Sequence, residues 1–415
     1  MERSLDVPGS LEPLALLREH AAARDAAGLH RRLVARQPHS SRLDLASNDY
    51  LGLCGDPRLA AAAAAAAATW GTGATGSRLV TGTTALHEDL EADLADFAGA
   101  AAALVFSSGY LANLAAVTAL AAALTPPGPP QPPGGGVLIV SDEGNHASLI
   151  DGCRLAKARG ARLLVTPHGD LAAVEQALRD RGERAALIVC DAVFSVAGDL
   201  APVAGLHALA RRYGALLLVD EAHSFGVLGE GGRGVSYDAG LAAQPDLVRT
   251  ITLSKSLAGQ GGAVLGAPEI RETLIDTGRS MIFDTGLAPP AAGAALAALA
   301  ILRSSPELPA AARQAAKRLA AIAAGLGLTA TVPEAAVTSV ILGDPQVAVA
   351  ARQACADHDV TVGCFRPPSV PAGRACLRLT GRATLGENHF AWASRALAAV
   401  GDHIRIPEKS GGRAP

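Results

Sequence analysis

The chain has 415 residues, of which 49% are hydrophobic and 18% are charged, so it can bury a large core and is not a disordered protein. Its net charge of −3 and pI near 6.4 lack the basic excess of a nucleic-acid-binding protein. No apolar stretch reaches the roughly 18 residues of a membrane span, and no signal-peptide pattern opens the sequence. Six cysteines without metal-ligand spacing indicate reduced thiols, which favours a cytoplasmic protein.

The first two thirds of the chain predict helices followed by an alternation of strands and helices. Residues 11–36 show leucines at helical spacing among charged residues, and the alanine run 60–68 is a strong helix former. From about residue 85, short apolar runs alternate with amphipathic helices as far as "ALLLVDEA" (215–222). This alternation predicts a mainly parallel sheet covered by helices. The Pro- and Gly-rich stretch 125–136 is predicted to be a surface loop within the series.

The pattern changes past about residue 290, where alanine-rich helices alternate with short strands such as "TSVILGD" and "ACLRLTG". This texture predicts a smaller α+β domain at the C-terminal end. We therefore expect four parts: an N-terminal helical segment over 1–58, a large α/β domain over 59–288, a small domain over 289–406, and a disordered tail over 407–415.

Three local features suggest functions that their context argues against. "GTGATG" (71–76) matches a dinucleotide-binding pattern, but that pattern needs a strand before it, and here an alanine-rich helix precedes it. "LLLVDEAH" (216–223) resembles the acidic motif of a helicase, but the chain has no Gly-Lys dipeptide for a phosphate-binding loop. His146, His168, His223 and Asp220 could be considered as metal ligands, but no two of the histidines have the close helical spacing of a zinc site. No metal is therefore expected.

Several reactive side chains follow the predicted strands. Ligands of an open parallel sheet bind beyond the carboxyl ends of its strands. "FSSGYLAN" (106–113) passes from a strand directly into a helix, whose free N–H groups attract phosphate. An imine-forming lysine, a carboxylate and such a phosphate site are what pyridoxal 5′-phosphate (PLP) requires. Each side chain alone could be an ordinary turn residue, but their joint occurrence predicts a PLP site that includes Lys255, Asp220, His146, His223 and Ser195.

Eight motifs, in order over roughly residues 45–385, resemble those of the α-oxoamine synthases, a family of fold-type I PLP enzymes. They are "LASNDYLGL", "GATGSRLVTG", "FSSGYLAN", "NHASLIDG", "VFSVAGDLAP", "VDEAHSFGVLGEGGRG", "TLSKSLAGQGG" and "FRPPSVPAGRACLRLT". The resemblance implies a PLP-dependent transferase with a seven-stranded, mainly parallel sheet in its large domain. It also implies a homodimer whose active sites lie at the subunit interface.

The resemblance further implies roles for individual residues. Lys255 would form the imine with PLP and remove the α-proton of the amino acid, and Asp220 would contact the pyridine nitrogen. His146 would stack on the ring and contact the substrate, where it would polarise the carbonyl. Ser195 and His223 would contact the ring oxygen of the cofactor. Its phosphate would be bound by Gly109, Tyr110 and Thr252. Thr285 would contact the phosphate of the cofactor in the neighbouring subunit.

The implied substrate contacts come from both ends of the chain. Arg378 in "CLRLT" matches the family arginine that binds the amino acid's carboxylate, a task suited to a planar guanidinium. Ser369 stands where relatives have threonine in a substrate-contacting turn, and it keeps the hydroxyl. Near the N-terminus, where relatives have a run of arginines, this chain reads Leu-His-Arg-Arg over 29–32. His30 and Arg31 are therefore the candidate acyl contacts.

"IFDTGLAPP" and "GCFRPPSVPAG" resemble the branch of the family that serves biotin biosynthesis. Its members condense L-alanine with a pimeloyl thioester, carried by CoA or a carrier protein, and release CO₂. Another member type stays open, acting on acetyl, succinyl or palmitoyl thioesters as glycine C-acetyltransferases, 5-aminolevulinate synthases and serine palmitoyltransferases do. A non-catalytic binding protein of the same fold is the second alternative, and a complete set of catalytic residues argues against it.

Overall fold

The computed structural model describes residues 13–404 except 39, 127 and 129–133, and for 402–404 only the backbone. The described helices are α1 (Pro13–Ala26), α2 (Pro57–Trp70), α3 (Ala85–Ala98), α4 (Gly109–Ala123), α5 (Ala147–Ala158), α6 (Leu171–Arg179), α7 (Val203–Tyr213), α8 (Val235–Asp238), α9 (Pro268–Thr277), α10 (Arg279–Ile282), α11 (Pro289–Ser304), α12 (Leu308–Gly325), α13 (Pro345–Asp357) and α14 (Glu387–Ile404). A π-helical turn covers Arg78–Gly82 and a 3₁₀ turn Glu230–Gly232.

The described strands form three sheets. They are β1 (Leu43–Asp44), β2 (Ala102–Phe106), β3 (Leu138–Asp142), β4 (Arg162–Thr166), β5 (Ala186–Asp191), β6 (Leu216–Asp220), β7 (Leu247–Thr252), β8 (Gly262–Gly266), β9 (Val337–Gly343), β10 (Val360–Thr361), β11 (Gly363–Phe365) and β12 (Ala375–Thr380).

The large sheet has seven strands in the order β2-β8-β7-β6-β5-β3-β4. The pairs among β3, β4, β5, β6 and β7 are parallel, whereas β8 runs antiparallel to both β2 and β7. The predicted fold class, a mainly parallel seven-stranded sheet, is therefore confirmed. Strand β8 was not predicted, because it follows β7 after a short turn instead of a helical crossover.

Helices cover both faces of this sheet because its strand residues alternate between two hydrophobic clusters. Ile139 of β3 packs in the cluster of α4 and α5, whereas its neighbours Leu138 and Val140 pack in the cluster of α6 and α7. Residues of β5 alternate in the same way, with Leu187 in the first cluster and Ile188 in the second. Burial on both faces explains why these strands read as continuous apolar runs.

The C-terminal part contains an antiparallel sheet in the order β11-β12-β9, which agrees with the predicted α+β texture. Helices α12, α13 and α14 supply the hydrophobic cluster packed against it. Strand β1 pairs in parallel with β10, so the segment before the large sheet joins the C-terminal part. The domain limits at 58, 288 and 406 remain predictions, and the predicted tail 407–415 lies outside the described residues.

The N-terminal helix is shorter than the sequence predicts. Helix α1 ends at Ala26, and Gly28 adopts φ +66°, a left-handed conformation that favours glycine and ends helices. The helix predicted from the alanine run is confirmed as α2, where Asp56 accepts a hydrogen bond from Arg58 N and Pro57 fills the first position. The predicted loop 125–136 lies between α4 and β3, but much of it is outside the described residues. No helix in the described part is long and apolar enough to cross a membrane.

Candidate active site

Lys255 lies in the turn between β7 and β8, at the carboxyl edge of the large sheet. The turn is closed by Leu253 N donating to Gly261 O at 3.0 Å, and Gly261 has φ +123°. Burial lowers the pKa of Lys255 to about 8, although the charge of Asp220 acts in the opposite direction. Because burial disfavours the ammonium, much more of this lysine is neutral near pH 8 than of an ordinary one, and the neutral amine is the nucleophile.

A histidine and a tyrosine hold the amine of Lys255. Lys255 Nζ lies 2.7 Å from His223 Nε2, and His223 Nδ1 lies 2.5 Å from the hydroxyl of Tyr50. Burial, together with the charge of Lys255, keeps the pKa of His223 well below its usual value. His223 is therefore neutral and does not repel the lysine. Tyr50, which is fully buried, was not among the predicted site residues although it lies in the quoted motif "LASNDYLGL".

Asp220, the last residue of β6, is buried and held by two donors. Its Oδ1 accepts from Ala222 N at 2.8 Å, and its Oδ2 accepts from Asn113 Nδ2 at 2.6 Å. Asn113 lies in the second turn of α4 and also donates to Ser148 Oγ at 2.9 Å. Asn113 is a further residue that sequence reasoning missed. The carboxylate has a fixed orientation because both of its oxygens are bound.

A second buried carboxylate, Asp191, lies beside Asp220. It is the last residue of β5 and directly opposes Asp220 in the parallel register. Burial, and then the charge of Asp220, raises the pKa of Asp191 well above its usual value. Its Oδ2 accepts from His146 N at 2.5 Å, where His146 caps the start of α5. Asp191 therefore fixes the main chain of the predicted stacking histidine, and sequence reasoning missed it even though it also ends an apolar run.

The predicted phosphate site is the start of α4. Ser108 caps this helix by accepting from Leu111 N at 3.2 Å, so the helix begins at Gly109 and its first N–H groups have no partner within it. A Cβ atom on Gly109 would lie 3.0 Å from Cβ of Thr252, so the helix start packs closely against the end of β7. Gly109, Tyr110 and Thr252 are thus brought together, as a phosphate site requires.

Arg378, the residue predicted to bind the substrate carboxylate, contacts the turn that carries Ser195. It is buried in β12, and its Nη1 donates to Ser195 O at 3.0 Å. Its Nη2 donates to Asn48 Oδ1 at 2.6 Å, whereas its buried Nε has no hydrogen-bond partner. Burial lowers the pKa of Arg378. The orphaned Nε donor fits a site that binds the carboxylate of a substrate.

Four other predicted residues are exposed, and in the described part of the chain no hydrogen bond joins them to the Lys255 cluster. His30 and Arg31 lie in the segment after α1. Thr285 lies in the loop between α10 and α11, and Ser369 lies in the turn after β11. The rejected metal candidate His168 pairs with Asp142 at 3.0 Å and Asp199 at 2.6 Å. The described residues include no group of three or more side chains suited to hold a metal ion.

The residues present fit PLP in three separate respects. A lysine with a lowered pKa supplies an amine for an imine, and a fixed carboxylate lies within the same cluster. The start of α4 offers N–H groups, and the hydroxyl of Thr252 lies beside them, since a Cβ on Gly109 would be 3.1 Å from Thr252 Oγ1. This donor set is what the cofactor's imine carbon, pyridine nitrogen and phosphate require.

The model of the aminotransferase class I and II family matches residues 40–393. The chain is 54% identical over 391 residues to the 8-amino-7-oxononanoate synthase of Mycolicibacterium vanbaalenii, covering 94% of this chain and 98% of that protein. The synthase of the same name from Mycolicibacterium smegmatis is 53% identical over 390 residues, with 94% and 97% covered. The chain belongs to the α-oxoamine synthases within that family.

Solved structures agree with this α-oxoamine synthase membership. A serine palmitoyltransferase from S. paucimobilis with a bound PLP–myriocin aldimine matches with TM-score 0.85 and 29% identity, covering 96% of this chain and 100% of that one. The 8-amino-7-oxononanoate synthase from Francisella tularensis matches with TM-score 0.70 and 26% identity, covering 88% and 98%. The predicted family, fold type and PLP dependence are confirmed.

The lowered pKa of Lys255 predicts an unusual reactivity in the cofactor-free protein. Labelling by an amine-acylating reagent between about pH 6 and about pH 10 should reach half of its maximal rate for Lys255 near pH 8, because burial disfavours the unreactive ammonium. Mass spectrometry would follow each site, with the exposed Lys157 as an internal reference for the reagent. Asp220→Asn should lower the midpoint further, since it removes a charge that favours the ammonium. A labelling rate that still rises steeply at pH 10, as for an ordinary lysine with a pKa of about 10.4, would contradict the assignment.

Proposed function

We propose that this chain is an 8-amino-7-oxononanoate synthase, which condenses L-alanine with a pimeloyl thioester and releases CO₂ and the free thiol. The observation that carries the proposal is the 52–54% identity to several synthases of that name over 94–95% of this chain. The donor would be pimeloyl-CoA or a pimeloyl-carrier protein, since both present the same acyl group. The cluster around Lys255 supports the chemistry independently of the names.

The cofactor would be held by groups from several strand ends. Lys255 would bind PLP covalently, Asp220 would contact the pyridine nitrogen, and His146 would lie on the ring face. When bound, PLP supplies an electron sink that stabilises negative charge at the α-carbon of the amino acid. The phosphate would be held at the start of α4 by Gly109 and Tyr110, with Thr252 beside them.

The chain's own residues account for the proton transfer. Lys255, with a pKa of about 8, would take the α-proton of L-alanine as a general base, because such a group works best when its pKa lies near the working pH. The neutral His223, 2.7 Å away, would then accept a hydrogen bond from the new ammonium. Arg378 would bind the carboxylate that later leaves as CO₂, using donors such as the unpartnered Nε.

Serine palmitoyltransferase is the second candidate, because its structures superpose with a TM-score as high as 0.85. Fold similarity of this degree is common to the whole family and does not report the acyl group. Sequence identity to these structures is 28–30%, against 52–54% for the 8-amino-7-oxononanoate synthases. The larger identity, spread over nearly the whole chain, favours the alanine and pimeloyl substrates.

A substrate competition would test the proposed activity. The purified chain with PLP would be offered glycine, L-alanine or L-serine against acetyl, succinyl, pimeloyl or palmitoyl thioesters. We expect the highest kcat/KM for L-alanine with the pimeloyl thioester. The reaction would be measured by the mass of the product and by the release of CO₂. Lys255→Ala should abolish turnover and the visible absorbance of the imine. Preference for another pair would assign the chain to a sister activity, and no CO₂ release with any pair would favour a binding protein.

A charge contact at Arg31 would distinguish pimeloyl from uncharged acyl chains. Arg31 is exposed on the segment after α1, and we propose that it meets the distal carboxylate of the pimeloyl group. Arg31→Ala should then cost about 1–3 kcal/mol in kcat/KM for the pimeloyl thioester, the cost of leaving a desolvated partner unsatisfied. Heptanoyl thioester, which lacks the distal carboxylate, should lose much less. Arg36→Ala, on the same exposed segment, is the matched control, and equal losses for both acyl chains would refute the contact.

We also propose a homodimer with the active sites at its interface. Leu79, Val80 and Phe283 expose 51%, 78% and 69% of their surface, and exposed apolar side chains that lie together mark interaction sites. Their two loops touch, since Gly286 N donates to Gly76 O at 2.9 Å. Thr285 lies on the same loop and would reach the neighbouring subunit's phosphate.

Sedimentation would test the dimer. We expect a species of about twice the 41.8 kDa chain, whereas Val80→Asp should give monomers with little activity, because a buried unpaired charge opposes association. Leu155→Asp, at an exposed leucine of α5, is the control for a charge placed elsewhere on the surface. A fully active monomer would contradict a shared site.

We propose that the protein acts in the cytoplasm, as the cysteine pattern predicts. All six cysteines are free thiols in the structure, including the exposed Cys54. Exposed unpaired thiols are typical of reducing compartments, because oxidising ones favour disulfides.

A further inference from the structure

The segment that carries His30 and Arg31 has very few contacts. Residues 30–38, all described, form neither helix nor strand, and their side chains are exposed, including Leu33 and Val34. Among the residues that the structure describes, one polar contact reaches this stretch from elsewhere in the protein, from Arg366 to the main chain of His30. The position of both candidate acyl contacts therefore depends on that arginine.

Arg366 holds this segment with its guanidinium. Nη1 donates to Gly28 O, and Nη2 donates to His30 O at 3.4 Å. The neighbouring Gln346 Nε2 donates to Ala26 O at 3.1 Å, which fixes the end of α1 just before the segment. One planar side chain thus holds two carbonyls two residues apart, a geometry that a lysine's single ammonium does not reproduce.

The main chain of Arg366 forms part of the turn that carries Ser369, the other candidate for an acyl contact. Arg366 O accepts from Ser369 N at 2.9 Å, closing the turn on which Ser369 lies. The residue directly follows β11, where Gly363 pairs with Arg378 of β12. Arg366 therefore follows the strand that pairs with β12, which carries the predicted carboxylate-binding Arg378.

We propose that Arg366 is a positioning residue for the acyl substrate, joining the His30–Arg31 segment to the Ser369 turn. Its side chain orders one wall of the acyl site and its main chain the other, so that both keep a fixed place relative to Arg378. The nature of the acyl group rests on the function proposed above. The physical connection between the two segments does not.

The first test measures the order of the segment directly. Arg31, Arg32 and Arg36 are trypsin sites on exposed backbone, and mass spectrometry can follow cleavage there in the PLP-loaded protein. Arg366→Met keeps the apolar stem and removes all donors, so cleavage at these sites should accelerate about tenfold, the effect of losing a charged hydrogen bond. Arg374→Met, at an exposed arginine of the same loop, should match the wild type. Unchanged cleavage in Arg366→Met, with an unchanged melting temperature, would overturn the proposal.

The second test separates positioning from a general loss of structure. Arg366→Met should raise KM for the preferred acyl thioester about tenfold, while the Kd of L-alanine, read from the PLP absorbance, changes less than about twofold. Arg366→Lys should recover only part of the loss. Equal effects on acyl donor and alanine would overturn the positioning role. A wild type that prefers a donor other than pimeloyl would refute the proposed function alone, because cleavage and the KM for that other donor still test Arg366.

Discussion

The site depends on an amine that is kept partly uncharged among buried ionisable groups. Lys255 contacts the neutral His223, whereas the carboxylate of Asp220 is bound by Asn113 and by the main chain. A direct ion pair between Lys255 and Asp220 would favour the ammonium and suppress the nucleophile. Burial prevails here because the carboxylate is satisfied by other donors, and the pKa of the lysine falls to about 8.

The parallel sheet explains how this separation of partners is achieved. Strands β5, β6 and β7 are neighbours, about 4.8 Å apart, and each ends in or just before a site residue: Asp191, Asp220 and Lys255. The side chains of these three residues therefore lie together at the carboxyl edge of the sheet, although the residues are far apart in the sequence. The antiparallel β8 then returns Gly262 so close to Gly109 that a Cβ there would lie 2.4 Å from Cα of Gly109. This packing limits the space at the phosphate end of the site.

Sequence patterns predicted the parallel strands of the sheet, because burial on two faces leaves continuous apolar runs. They also predicted Asp220 and Lys255 after two of these runs, but not Asp191 at the end of β5. They were insufficient for Tyr50 and Asn113, whose roles arise from contacts with His223 and Asp220 more than 100 positions away. Leucine spacing alone also extended the first helix past Gly28, since periodicity does not register a left-handed turn. Strand β8 was not predicted because it follows β7 after a short glycine-rich turn instead of a helical crossover.

The pairing of the first strand with the tenth has a consequence for how the protein is made. Strand β1 cannot form its pairing with β10 until Val360 and Thr361 have been synthesised. The hydrogen bond from Arg378 to Asn48 also requires the late synthesis of Arg378. Domains generally fold as units, beginning with the N-terminal one, as the chain leaves the ribosome. The residues around Lys255 emerge before these late partners. A nascent chain therefore completes its large sheet first, and the substrate side of the site forms only when synthesis is almost finished.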